Sequence, residues 1–178
     1  MHTGTDYDEG TGAVRRPLHM ANSYKLPDDL SQVNYSSTDL LMYSRIGNPN
    51  QHWLEEKIAE WLEQRENITF VSYPGLKSNA GHELAKKQMK KGYGGVISFG
   101  VDTDDKAVEK FCAALKVVTF AVSLGHDESL IFPQPSYDER INLYPEKFRK
   151  GFIRFSVGLE EPEDIIADLD QALRKIGL

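Results

Sequence analysis

Short β-branched or apolar runs alternate with amphipathic helical stretches through much of this chain after its first 47 residues. Ile68–Ser72 reads as a strand, closed by Tyr73-Pro74-Gly75. Ala80–Lys91 reads as a helix stopped by Gly92, Gly95–Val101 as a strand, and Asp104–Leu115 as a helix with Val108, Phe111, Cys112 and Leu115 on one face. Val117–Val122 and Phe152–Val157 are further strands. The last helix carries the fullest end signals. Pro162, Glu163 and Asp164 suit the positive end of its dipole, and Ile165, Ile166, Leu169, Leu173 and Ile176 line one side. Arg174 and Lys175 fall in its last turn, and Gly177 closes it. Elements of this kind bury their apolar faces by laying helices on a sheet. The predicted fold class is therefore α/β, a two-layer α/β sandwich of about four strands under three helices. The strand, helix and strand of 95–122 form one βαβ unit with a right-handed crossover.

The first 47 residues follow a different rule. Gly4, Gly10, Gly12, Pro17 and Pro27, with Ser, Asn and Asp clustered from Asp28 to Asp39, leave no sustained period, so 1–47 reads as an extended arm. Its Tyr24, Tyr35 and Tyr43 are expected to pack on something, with another subunit one option. Asn48 as N-cap and Pro49 at the first helical position then open a helix that ends near Glu66. Leu54, Ile58, Trp61 and Leu62 share its apolar stripe, with Glu55, Glu56, Lys57 and Glu63 expected on the other side.

Composition removes several function classes. A net charge of -6 argues against a nucleic-acid phosphate binder. No apolar run approaches the roughly 20 residues that cross a bilayer, so no integral membrane protein is expected. Met1–Gly12 lacks the basic-then-apolar layout of a secretion signal, which points to a cytoplasmic protein. One cysteine, Cys112, forms no internal disulfide, lies on a buried helix stripe, and belongs to no Cys/His cluster of zinc spacing, so no metal site is predicted.

Among residues that carry chemistry, Arg154 stands out. The period-2 rule puts Ile153, Phe155 and Val157 on one face of their strand and Arg154 on the other, between Phe152 and Ser156. A guanidinium in so apolar a strand wants a carboxylate or phosphate, which it grips with two parallel hydrogen bonds. A bound ligand and an internal ion pair with one of the 27 acidic residues both satisfy it. Tyr43 and Arg45, just ahead of the helix start at Asn48-Pro49, suit either an anion site or a solvated turn with one aromatic anchor. Ser123-Leu124-Gly125 follows a strand end, where ligands often meet α/β sheets, although the tripeptide is not specific. The five histidines are scattered and read as surface or satisfied residues, and Pro133 and Pro135 read as a rigid loop. No G-x-S-x-G, P-loop or G-x-G-x-x-G motif occurs.

Several stretches together resemble the Cys/Met-metabolism family of pyridoxal-phosphate enzymes, which includes cystathionine γ-synthase, cystathionine γ-lyase and methionine γ-lyase. They are Pro17–Tyr24, Tyr43-Ser44-Arg45-Ile46-Gly47-Asn48-Pro49, Tyr73-Pro74-Gly75-Leu76 with His82-Glu83-Leu84-Ala85, and Gly94–Phe99. Ser123-Leu124-Gly125 with Glu128-Ser129-Leu130, and Ile153–Glu160, complete the order. The resemblance implies a sandwich like the C-terminal domain of fold-type I enzymes, preceded by an arm and one helix. It implies that Tyr43 and Arg45 reach the cofactor phosphate of a neighbouring subunit, that Arg154 binds the substrate α-carboxylate, and that Ser123 lies near the substrate. Cofactor, substrate and partner follow as pyridoxal phosphate, a sulfur amino acid or homoserine derivative, and a homo-oligomer or full-length homologue.

The same resemblance implies a chain more than twice as long. The expected division is an arm at 1–47, a helix and junction at 48–71 where the cofactor domain is missing, and a small α/β domain at 72–178. Asn67-Ile68-Thr69-Phe70 would join the two ends. That missing part supplies the Schiff-base lysine in a Ser-x-Thr-Lys-like context, and none of the chain's thirteen lysines lies in such a context. No catalytic residue is therefore assigned. The chain alone is expected to be inactive, with a non-catalytic interaction module or an amino-acid carboxylate binder as the alternatives. Trp53, Trp61 and the arm's tyrosines are expected to be exposed where the missing domain would pack.

Overall fold

The computed structural model describes residues 29, 49–89 and 92–178, with the backbone alone for 49–53. Four helices and five strands follow one another as α1 (Pro49–Glu63), β1 (Ile68–Ser72), α2 (His82–Gln88), β2 (Val96–Val101), α3 (Asp105–Ala114), β3 (Thr119–Phe120), β4 (Leu130–Pro133), β5 (Phe152–Ser156) and α4 (Pro162–Lys175). The strands form one sheet in the order β1-β2-β5-β4-β3. All neighbours are antiparallel except β3 and β4. β5 is central, with Ile97 opposite Phe155 on one side and Ile131 opposite the same residue on the other.

Alternation along these strands sends Ile97, Phe99, Ile131, Ile153 and Phe155 to one face, all fully buried, where they meet α1, α3 and α4 in one core. α3 contributes Val108, Phe111 and Cys112, and α4 contributes Ile165, Leu169, Ala172 and Leu173. The two-layer α/β sandwich is thus present, with one strand more than expected. β2 and β3 run parallel, but β5 and β4 lie between them.

The extra strand is β4, where a rigid proline loop was expected. Four residues are too few to show a period, but Leu130 and Ile131 are buried and pair on both edges. Pro133 stands at the strand's end, where a missing N–H is tolerated. β3 is shorter than the expected 117–122 because other groups claim its backbone. The Asp168 carboxylate on α4 accepts from the N–H groups of Lys116, Val117 and Val118 at 2.8–3.0 Å. α2 covers less than Ala80–Lys91, and residues 90 and 91 lie outside the described ones.

α1 belongs to this core. Leu54, Ile58, Ala59 and Leu62 are buried in it, and Trp61, expected to be exposed, is half-buried against it with the Arg65 guanidinium 4.7 Å from its ring. Glu55, expected on the solvent side, is buried and accepts a 2.9 Å hydrogen bond from the Tyr73 hydroxyl. Lys57 donates to Glu163 and Arg65 to Asp170, which ties α1 and the turn after it to α4. The link at 64–67 is a tight turn with Arg65 N–H to Leu62 O and Ile68 N–H to Arg65 O.

Ile58→Ala should lower stability by about 2–5 kcal/mol in urea unfolding, the range for emptying a closed core site. A change under 1 kcal/mol would mean that α1 is not a structural part of the sandwich. Burial pushes the Cys112 thiol from 9.0 up to about 12. Burial, then the neighbouring Glu55 carboxylate, raises the Tyr73 hydroxyl as well. The folded chain therefore keeps protons that the unfolded chain releases, so stability is full below pH about 9 and falls as pH rises toward 12. Urea midpoints should drop across that window, and Cys112→Ala should flatten the drop.

Candidate functional site

The face of β5 turned away from the helices carries Phe152, Arg154 and Ser156. Across it, Ser98 of β2 and Phe132 of β4 flank Arg154 in register. Its guanidinium lies 5.8 Å from the Phe132 ring centroid, within cation–π range. Nη2 donates to two main-chain carbonyls, those of Val122 and of Ser123, the latter at 2.9 Å. Nε is buried and, among the described residues, has no hydrogen-bond partner.

No carboxylate of the described residues reaches Arg154, so the internal ion pair that its strand position allowed is not formed among them. Carbonyl oxygens orient the fork without neutralising it. A cation so placed, with one buried donor left over, suits a carboxylate.

Of the sequence-predicted site residues, the structure brings Ser123 and Arg154 together, through the Ser123 carbonyl, with the Ser123 side chain exposed. Tyr43 and Arg45 lie outside the described residues. Three further groups shape the site. Ser156 Oγ accepts from Gly125 N–H at 3.0 Å. Ser129 gives its N–H and its hydroxyl to the two Glu160 oxygens at 2.6 and 2.7 Å, and its Oγ accepts from Gly158 N–H at 2.9 Å. Gly158 must be glycine, since a Cβ would lie 2.5 Å from the Asp127 carbonyl oxygen. Sequence reading gave these residues no individual role, because their pairing is set by tertiary contact. The only trace of it was their place in the Glu128-Ser129-Leu130 and Gly158-Leu159-Glu160 stretches.

An apolar cleft of about 140 Å³ opens nearby, between α3 and the β4 end, and is lined in part by Phe120, Phe132, Gln134, Tyr137 and Phe152. It shares Phe132 with Arg154 but does not include the guanidinium, so we place the candidate site on the β5 face instead. Among the described residues no His, Cys, Asp or Glu group is set to hold a metal, and no helix is long and apolar enough to cross a membrane.

The described residues do not fit pyridoxal phosphate. A lysine that captures the aldehyde at neutral pH must be desolvated or crowded by positive charge. Every described lysine is exposed except Lys57, which is half-buried and paired with Glu163.

Comparison with known proteins agrees with the fold. A cystathionine γ-synthase from Xanthomonas oryzae pv. oryzae, solved with aminoacrylate and cysteine, superposes with a TM-score of 0.62 at 32% identity, covering 72% of this chain and 34% of its own. Canavanine γ-lyase of Pseudomonas canavaninivorans is 48% identical over 120 residues, 66% of this chain and 30% of the lyase. Cystathionine β-lyase of Lactococcus lactis subsp. cremoris (strain MG1363) is 35% identical over 199 residues, 98% of this chain and 50% of the lyase. The chain thus spans between about a third and a half of these relatives. The family model described as Cys/Met metabolism PLP-dependent enzyme matches residues 56–174, beginning within α1. This chain belongs to the Cys/Met-metabolism family of pyridoxal-phosphate-dependent enzymes.

Proposed function

We propose that this chain is a non-catalytic relative of the sulfur amino-acid lyases and transferases, one that keeps the carboxylate-gripping arginine and lacks the bond-breaking machinery. The observation that carries the reading is Arg154. It is a cation on the central strand, held by carbonyls and, among the described residues, by no acid, in a chain whose described lysines are exposed or ion-paired. A β- or γ-elimination on a cysteine, methionine or homoserine derivative needs an amine that captures the cofactor and shuttles protons. Recognition of the amino acid needs the fork alone.

In this reading the arm ends ahead of Leu54, and α1, set with the junction at 48–71 by sequence, goes with the sandwich. The core contacts of α1 and a family match that begins at Glu56 support that boundary. A second reading has its own support. The match to cystathionine β-lyase covers 98% of the chain and so takes in the arm. Tyr43 and Arg45 would then serve the cofactor phosphate of a full-length homologue in a mixed, cytoplasmic oligomer.

Calorimetry with L-methionine and L-cystathionine tests the first reading. Arg154→Ala should weaken binding by about 10- to 100-fold, the loss expected for a charged hydrogen-bonding partner. Equal affinities in the two proteins reject the site. Borohydride reduction of the chain with pyridoxal phosphate should leave no single stoichiometric lysine adduct by mass spectrometry. One such adduct would restore the case for catalysis.

A further inference from the structure

We propose that Ser156 is a positioning residue for Arg154 and acts through the loop 122–129. The inference deepens the carboxylate-binding reading, but its primary readout is independent of it. Residues 154 and 156 stand two apart on β5 and face the same way, and both grip one loop. Arg154 takes the loop by its carbonyls at Val122 and Ser123, and Ser156, only 1% exposed, takes it by the N–H of Gly125.

At that end, among the described residues, the loop is otherwise held only through Ala121 N–H, which donates to the Ile131 carbonyl at 3.1 Å just ahead of it. The side chains of Val122 and Leu124 are 68% and 55% exposed, so neither contributes a packed anchor. Gly125 has φ 70°, a left-handed conformation that side-chain-bearing residues rarely adopt, and its N–H donates to Ser156. The other end is latched by the Ser129–Glu160 pair and by Leu159 N–H to the Asp127 carbonyl at 2.8 Å.

This geometry decides where the fork points. Nη2 has two hydrogens, and two carbonyls take them. Rotation about the Nε–Cζ bond breaks both, so the guanidinium keeps one orientation as long as the carbonyls stay put. Removing the Ser156 hydroxyl strips Gly125 of its partner and lets residues 122–125 drift, and the fork drifts with them. Ser156 never touches the ligand in this scheme.

The test is side-chain NMR on the full chain labelled with ¹⁵N-arginine, assigned by Arg154→Lys. In the unsubstituted chain the Arg154 Nη2 hydrogens should give resolved, slowly exchanging signals. Ser156→Ala should speed their exchange at least tenfold, and Ser156→Thr, which keeps the hydroxyl, should restore it. Ser98→Ala, at the register partner of Arg154 on β2, should change nothing, and thermal midpoints should report that each variant is folded. Should Ser156→Ala fail to fold, Glu160→Gln loosens the loop from its latch, and it too should speed exchange. Unchanged exchange in the folded Ser156→Ala variant, or in Glu160→Gln where it stands in, overturns the proposal, as does an equal increase in Ser98→Ala. Methionine affinity should fall several-fold in Ser156→Ala. A chain that binds no methionine at all rejects the carboxylate reading and leaves the exchange result to judge the positioning role.

Discussion

Everything in this molecule turns on the two-sidedness of β5. Its odd-numbered side chains, Ile153 and Phe155, are the centre of the core, and its even-numbered ones, Arg154 and Ser156, work on the opposite face. Pairing with β2 on one edge and β4 on the other fixes the register over the whole strand. A slip of one residue would bury the guanidinium among Phe99, Ile131 and Leu169, so the register is strongly specified. The same constraint that folds the sheet therefore presents the arginine.

Buried and half-buried carboxylates organise what the sheet leaves loose. Asp168 gathers three successive N–H groups ahead of β3, Glu160 seizes Ser129 at the start of β4, and Glu55 receives the Tyr73 hydroxyl where β1 leaves the sheet. Each closes a place where backbone or side-chain polar groups would otherwise be buried unpaired. They also explain why β3 is short and why α1 cannot be separated from the sandwich without cost.

The long elements were legible in the sequence because their periods are clean. α3 and α4 bury nearly the stripes that their spacing implies, and the apolar and polar sides of β5 follow alternation. β4 escaped because four residues ending in proline carry no period, and its identity as a strand comes from two neighbours distant in sequence. The burial of Glu55 escaped because a partner that meets it there, the Tyr73 hydroxyl, lies 18 positions away in the chain. At the site, Arg154 was visible as a cation in an apolar strand. Its real partners, two carbonyls, have no sequence signature at all.

In this account amino-acid recognition has been parted from catalysis: the grip on a carboxylate survives without the amine that breaks bonds. The most direct measurement follows ¹³C-labelled L-methionine by NMR with the full chain and pyridoxal phosphate, against a chain-free sample to allow for the free cofactor's own slow reaction. The account predicts that the Arg154 Nε–H signal moves with added methionine while the methionine carbons persist at the chain-free rate. Conversion to 2-oxobutyrate well above that rate, or an Arg154 signal indifferent to methionine, contradicts it.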